Sequence, residues 1–303
     1  MNNEEHYHPK CLQKLFDSKE TPDLNVSYSE LSELAKKSVH KRVTVPGVQT
    51  KLSLQIEKKA QGTSKLTIVG LWGRYILKPP SNRWPELPEN EHCTMMMAEV
   101  AGIETVSYGL IHLASGELAY ITKRMDRDEQ GNKFAMEDMC QLTGRLTEDK
   151  YKGSHEQIAR TVKQFSANPL FDLTRLFELV LFSYLTGNGD MHLKNFSLLN
   201  DPELGWKLAP AYDLLSTRLV IPEEKDPEAL ALTLTGKKSN FQPISFNEFG
   251  KSIGLNEKQV TNIVEKLLSK RKTFNETVEK SFLSDGMKDT YKVILSRRFN
   301  VFE

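Results

Sequence analysis

The sequence predicts an α+β chain in two parts, strand-rich towards the start and helical towards the end. Leu52, Leu54 and Ile56 alternate with polar residues at the period of a half-buried strand. Leu173, Leu176, Phe177, Val180, Leu181 and Tyr184 instead recur at the spacing of a broad helix face. Between two apolar runs stands a dense polar stretch, Gly187-Asn-Gly-Asp-Met-His-Leu-Lys-Asn195. Polar side chains packed between core segments mark a candidate site.

The totals narrow the function classes. At 303 residues the chain can form a large core and divide into two parts. With 41 basic against 40 acidic side chains, it has no general field for nucleic acid or membrane. Cys11, Cys93 and Cys140 stand far apart without a C-x-x-C pair, so neither a disulfide framework nor a zinc site is expected. No apolar run approaches the ~18 residues of a membrane span. The opening Met-Asn-Asn-Glu-Glu-His lacks a basic-then-apolar leader. The cytoplasm is the expected compartment.

Taken in order, Tyr7, Cys11, Leu12 and Leu15 are spaced for a short helix, and Ser29-Glu-Leu-Ser-Glu-Leu-Ala-Lys-Lys37 for another. Residues 1–40 are expected to dock on the strand-rich part. Thr44-Val-Pro-Gly-Val-Gln-Thr-Lys51 then precedes the alternating strand and a second one through Leu66 and Ile68. A turn there could offer backbone amides to phosphate, with Lys51 adding charge, or be a plain hairpin turn. No G-x-x-x-x-G-K-[ST] loop is present.

Arg74-Tyr-Ile-Leu-Lys78 ends an apolar strand on a lysine ahead of Pro79 and Pro80. Lys78 is either a phosphate-pairing lysine or a solvated strand end. Asn90-Glu-His-Cys-Thr-Met-Met-Met reads as a helix capped by Asn90 and stopped near Gly102. Glu91, in its expected first turn, either pairs with Lys78 or complements the helix dipole. Residues 106–113 and 118–125 flank Ala-Ser-Gly-Glu, a hairpin by composition. From Glu137 onward the pattern turns helical, through residues 158–165 and 172–185. Residues 222–227 look like an exposed loop, and three or four amphipathic helices are expected from Ser245 to the end.

The chemistry sits in the polar stretch. Asp190 and Asn195 have the D-x-x-x-x-N spacing of a kinase catalytic loop, where the acid takes the acceptor hydroxyl's proton and the amide holds a metal ion. A second acid, Asp213, follows Asn195 by eighteen residues, after two short apolar runs that read as a hairpin. An amide and a second carboxylate are oxygen ligands suited to magnesium. The bland alternative is a turn in which Asp190 and Asn195 serve only the backbone. Gly250-Lys-Ser-Ile-Gly254 also matches the G-x-S-x-G nucleophile elbow, but the residues before it read as helix, not strand. Residues 246–268 resemble a helix-turn-helix, a pattern that core helix pairs joined by glycine share.

Together these residues resemble the HipA family of bacterial serine/threonine kinases. Seven motifs in order carry the resemblance: Gly47-Val-Gln-Thr-Lys51, Ile76-Leu-Lys78-Pro, Pro88-Glu-Asn-Glu, Thr122-Lys-Arg-Met-Asp-Arg127, Glu137-Asp-Met-Cys-Gln141, Asn188-Gly-Asp-Met-His-Leu-Lys-Asn-Phe-Ser197 and Pro210-Ala-Tyr-Asp213. The resemblance implies a two-lobed protein-kinase-like fold, with a β-rich N-lobe over 41–125 and an all-helical C-lobe over 126–303. It implies ATP and magnesium as cofactors and a toxin role in a type II toxin–antitoxin system. Asp190 would be the catalytic base, and Asn195 and Asp213 the metal ligands. Lys78 and Lys51 would contact phosphate beside Gly47, Val48 and Gln49. Lys123 and Met125 would form the adenine hinge, and His192 and Lys194 would shape the loop or touch phosphate.

The glycine loop starts near residue 45, about a hundred residues earlier than in HipA-type chains. That and the Tyr7-His-Pro-Lys-Cys-Leu opening are more similar to the short HipT kinases of three-gene systems. The resemblance then implies a small HipS-like partner and a helix-turn-helix HipB-like antitoxin, which would supply DNA contact. It implies an aminoacyl-tRNA synthetase as acceptor, tryptophanyl by analogy, and self-phosphorylation at Thr44, where the family has serine. A metabolite kinase and an ATP-binding pseudokinase module are the rival readings.

Overall fold

The computed structural model describes residues 7–39, 50–57, 64–69, 72–128 and 130–303, with the side chains of 35–39 left aside. The chain divides into two compact units, one of Met1–His92 with Val106–Asn132 and one of Cys93–Thr105 with Lys133–Glu303.

In the first unit, helices α1 (Pro9–Phe16) and α2 (Tyr28–Val39) precede strands β1 (Leu52–Glu57), β2 (Lys65–Val69) and β3 (Tyr75–Lys78). Strands β4 (Tyr108–His112) and β5 (Leu118–Lys123) complete an antiparallel sheet in the order β2-β1-β3-β5-β4. The alternation read from sequence sets its faces: Leu52, Leu54, Leu77, Ala119 and Ile121 point into one core with Leu12, Leu15, Phe16 and Leu31 of the two helices. Asp17, at φ 54°, ends α1, and its carboxylate receives Lys123 Nζ at 2.8 Å on both oxygens.

Helix α3 (Leu87–Ala101) begins three residues before the expected cap at Asn90. Pro88 accounts for this, because proline in a first turn lacks only an N–H that the helix does not use. Glu91 is therefore past the first turn, and no dipole argument applies to it. Gly102, at φ 82°, stops the helix as read.

The second unit is mainly helical but not wholly so. The hairpin β7 (Ser197–Asp201) and β8 (Gly205–Leu208) recruits a third strand, β6 (Met136–Asp138), paired as Met136↔Leu199 and Asp138↔Ser197. This corrects the all-helical expectation and the helical reading from Glu137. Three residues are too short to show alternation, and β6 exists by pairing. Asp138 then caps α4 (Met139–Leu142). Helices α5 (His155–Phe165) and α6 (Pro169–Leu185) follow. After β8 come α7 (Pro243–Ile253), α8 (Glu257–Leu268), α9 (Arg271–Glu279) and α10 (Asp285–Phe299). Phe177 of α6 stacks on Phe249 of α7 at 5.8 Å, and Phe182 meets Phe274 of α9 edge-on. Among the described residues no helix is long and apolar enough to cross a membrane.

Candidate active site

Each unit carries one set of the side chains singled out from sequence. In the second unit, α6 ends in a turn that Gly187 makes possible at φ 70°. A side chain there would also stand 2.9 Å from Ile294 Cγ2. The loop beyond is held from outside itself: Gly189 N–H donates to Thr217 Oγ1 at 2.9 Å, and Leu193 N–H to Lys150 O at 3.1 Å. Met191, Leu193 and Phe196 are buried and anchor the loop, with His192 and Asn195 buried between them.

Asp190 is fixed at both ends. Its N–H donates to Asn188 Oδ1 at 3.1 Å, and its carbonyl accepts His192 N–H at 2.8 Å and Asn195 Nδ2 at 3.2 Å. The last bond sets the amide's orientation and leaves Asn195 Oδ1 without a hydrogen bond among the described residues. On the carboxylate, Oδ1 accepts the Tyr151 hydroxyl at 2.6 Å, and Oδ2 accepts nothing among the described residues.

His192 is buried, and its pKa is pushed down to about 4, chiefly by burial; the Asp190 and Asp213 carboxylates pull the other way. Those opposed influences put both acids within electrostatic reach of one ring. Asp213 itself sits at φ 60°, uncommon for a residue with a side chain, next to the fully buried Leu214. Its neighbour Tyr212 donates to Lys194 O at 2.8 Å and shares a 2.6 Å hydrogen bond with Ser197 Oγ, tying the Asp213 segment to the loop. A rare backbone conformation held by surrounding bonds is where functional strain is stored. Lys194 Nζ is 2.5 Å from Asp138 Oδ2, so its charge braces the loop against β6.

Among the described residues no three His, Cys, Asp or Glu side chains converge as a metal site. A cation here would rest on the Asn195 amide oxygen and the Asp213 carboxylate. Both are hard oxygen donors, and magnesium takes few protein ligands and fills its shell with phosphate and water, so the residues fit it.

In the first unit, Lys78 ends β3 buried, with Nζ 2.5 Å from Glu91 Oε1 and 5.3 Å from the Tyr120 ring centroid. A buried ion pair contributes little net stability and is better explained by what it positions. Lys51 stands exposed ahead of β1. The Lys123 ammonium is taken by Asp17 and its N–H by Ser107 O, while Met125 follows in a half-buried turn. Gly47, Val48, Gln49 and Thr44 lie outside the described residues.

Tyr151, Asp138 and Tyr212 are the site neighbours that sequence reading did not single out. Tyr151 is 39 residues from Asp190 and Asp138 is 56 from Lys194, with no local spacing to link them. Only the flanking motifs Glu137-Asp-Met-Cys-Gln141 and Pro210-Ala-Tyr-Asp213 hinted at the latter two.

The HipA-like C-terminal domain model matches residues 43–273. A Haemophilus influenzae protein provisionally described as a kinase is 30% identical over 306 residues, spanning 91% of this chain and 87% of its own. The Shewanella oneidensis serine/threonine-protein kinase toxin HipA is 28% identical over 222 residues, 62% of this chain and 49% of its own. Among solved structures, the S. oneidensis HipA–HipB–operator DNA complex matches with TM-score 0.71 at 22% identity, over 86% of this chain and 65% of that one. The Helicobacter pylori proinflammatory kinase CtkA matches at 0.55 and 14% identity, over 75% of this chain and 87% of that one. The two solved structures give the fold, kinase-like α+β. The family model and the 30% identity along nearly the whole chain give its kinship: this protein belongs to the HipA-like C-terminal domain family.

Proposed function

We propose that the chain is an ATP-dependent protein serine/threonine kinase serving as the toxin of a toxin–antitoxin system. The observation that carries this is the state of Asp190 and Asn195. Their backbone and amide nitrogen bind each other, while one carboxylate oxygen and the amide oxygen stay available for acceptor and metal. Similarity to the S. oneidensis toxin kinase supports the reading.

A transferring phosphoryl group asks the protein for positioning and positive charge. Asp190 accepts the acceptor hydroxyl's proton as that oxygen bonds to phosphorus. Asn195 and Asp213 would hold magnesium, which when bound neutralises phosphate oxygens. Lys78, steadied by Glu91, pairs with the nucleotide phosphates, joined by Lys51 and the backbone of Gly47, Val48 and Gln49. The adenine contact falls to the backbone of Lys123 and Met125, the Lys123 ammonium itself being held by Asp17. His192, its pKa pushed down to about 4 chiefly by burial, is neutral at pH 7 and shapes the loop without adding a charge to it. Lys194 acts by bracing the loop through Asp138.

The finer assignment follows the family resemblance. The chain would be of the HipT type, beside a HipS-like small protein and a HipB-like antitoxin that contacts DNA. Its acceptor would be a serine of an aminoacyl-tRNA synthetase, tryptophanyl by analogy, and Thr44 its site of self-modification. Purified wild type and Asp190→Ala, given ATP, magnesium and a cell lysate, test this by phosphopeptide mass spectrometry. Asp190-dependent label on one synthetase serine is the expected result. Label on small metabolites alone, or none on anything, would overturn it.

A further inference from the structure

We propose that Tyr151 is a positioning residue for phosphoryl transfer: its hydroxyl holds Oδ1 of Asp190, so that Oδ2 is the oxygen that takes the acceptor's proton. This rests on the kinase reading and deepens it. The Tyr151 hydroxyl lies 2.6 Å from Oδ1, and no other side chain among the described residues hydrogen-bonds that carboxylate. A carboxylate held only through its backbone can rotate about its side-chain bonds, and each rotation moves the accepting oxygen. One short bond to Oδ1 removes that freedom.

The tyrosine is itself held in place. His192 meets its ring edge-on, with centroids 5.1 Å apart and planes at 81°, and the Lys150 ammonium lies 4.9 Å from the ring centroid. The flanking segment is tied to the loop by the Leu193 N–H bond to Lys150 O. Tyr151 therefore moves with the loop whose acid it holds. Burial and the Asp190 charge push the phenol's pKa up, so at neutral pH its oxygen keeps its proton and acts as a donor, never as the base. In the reaction the acceptor oxygen bonds to the γ-phosphorus, the bond from phosphorus to the ADP oxygen breaks, and the acceptor's proton goes to Oδ2. Tyr151 gives up nothing.

The test uses the full chain as wild type, Tyr151→Phe, Asp190→Ala and the double variant, with labelled ATP, magnesium and dephosphorylated casein as a serine acceptor. Label is counted on casein and on the chain. Phenylalanine keeps the ring against His192 and Lys150 and deletes only the hydroxyl. The expected result is a kcat about 10- to 100-fold lower, the range for a hydrogen bond to a charged group. KM for ATP should be unchanged, and the double variant no slower than Asp190→Ala alone. Three results would overturn the inference alone: an unchanged kcat, a faster variant in which the hydroxyl had occupied the acceptor's seat, or an equal further loss in the Asp190→Ala background. Wild type that labels nothing, or that labels as well without Asp190, overturns the kinase reading itself.

Discussion

Residues 187–195 and 250–256 look alike on paper: each carries two glycines and places an acid or a nucleophile four or five residues before an asparagine. The molecule treats them oppositely. In the second stretch the hydrogen bonds are local. Ser252 Oγ donates to Phe249 O of its own helix, Leu255 N–H reaches Gly250 O at 3.0 Å, and Gly254 N–H reaches Lys251 O at 3.1 Å. That is a helix stop of the Schellman kind, with Gly254 at φ 100°. Gly250 serves packing, since a side chain there would run into Val260. In the first stretch local bonds are joined by others to partners distant in sequence: Thr217, Lys150 and Tyr151. A polar motif becomes a site when tertiary bonds hold its backbone and leave chosen side-chain atoms unspent.

The comparison breaks most visibly at Asp190. Asp190→Ala should lower the phosphoryl-transfer rate by about 10²- to 10⁴-fold. It should leave the urea midpoint almost unmoved, because the carboxylate's one side-chain bond is to a tyrosine 42% exposed. A large fall in stability would mean that Asp190 serves the turn, as Gly254 does.

Gly187→Ala sharpens the contrast from the structural side. Left-handed backbone costs an alanine about 1–3 kcal/mol, and its methyl would meet Ile294, Arg218 and Ser216. At Gly254 nothing stands within 4 Å, so the same change there meets only the backbone term. Urea denaturation of both variants should rank Gly187→Ala as the costlier. Equal losses would show that the loop relaxes freely.

Much of this could be read from the chain, and the reason is locality. Asp190, Asn195 and Asp213 follow one another within a short segment, and Lys78 ends a short apolar strand ahead of two prolines. The residues proposed for phosphate chemistry are thus written in spacing. What sequence does not write is pairing across distance. Tyr151 with Asp190 and Lys194 with Asp138 need the fold to meet, and β6 needs β7 to exist. Asn90 misled because asparagine is a good cap in isolation, while Pro88 had already opened the helix. The Lys123 ammonium is another pairing across distance: it is held by Asp17, 106 residues away.

One buried side chain packs against the residues flanking both stretches. The His155 ring lies 5.9 Å from that of Phe196, next to Asn195, and 6.1 Å from that of Phe249 in α7. Neither ring nitrogen has a hydrogen-bond partner among the described residues, and burial pushes its pKa down to about 3. The unfolded chain binds this proton at about 6.5 and the folded chain only near 3, so stability is full above pH 6.5 and falls as pH drops towards 3. Between pH 7 and pH 5 the loss from this group is about 2 kcal/mol. His192, lowered to about 4, adds a loss of the same sign. Denaturation at both pH values should find His155→Phe recovering about half of the two histidines' combined loss. A variant as pH-sensitive as wild type would show that water reaches the ring.

The smallest effect is expected at Asn256, the asparagine that most resembles Asn195 by position. Its Oδ1 accepts Gln259 N–H at 2.9 Å and its own N–H donates to Gln259 Oε1 at 2.8 Å, a reciprocal cap on α8. Asn256→Ala should cost about 1 kcal/mol of stability and leave phosphoryl transfer at the wild-type rate. Asn195→Ala should do the reverse, because among the described residues its amide nitrogen bonds only Asp190 O at 3.2 Å and Met191 Sδ at 3.9 Å, while its oxygen is the metal ligand we propose. Measured side by side, the two asparagines separate a residue spent on its own helix from one held in reserve. If Asn256→Ala slowed transfer as well, α8 would have to be coupled to the loop through α6, against which its apolar face packs.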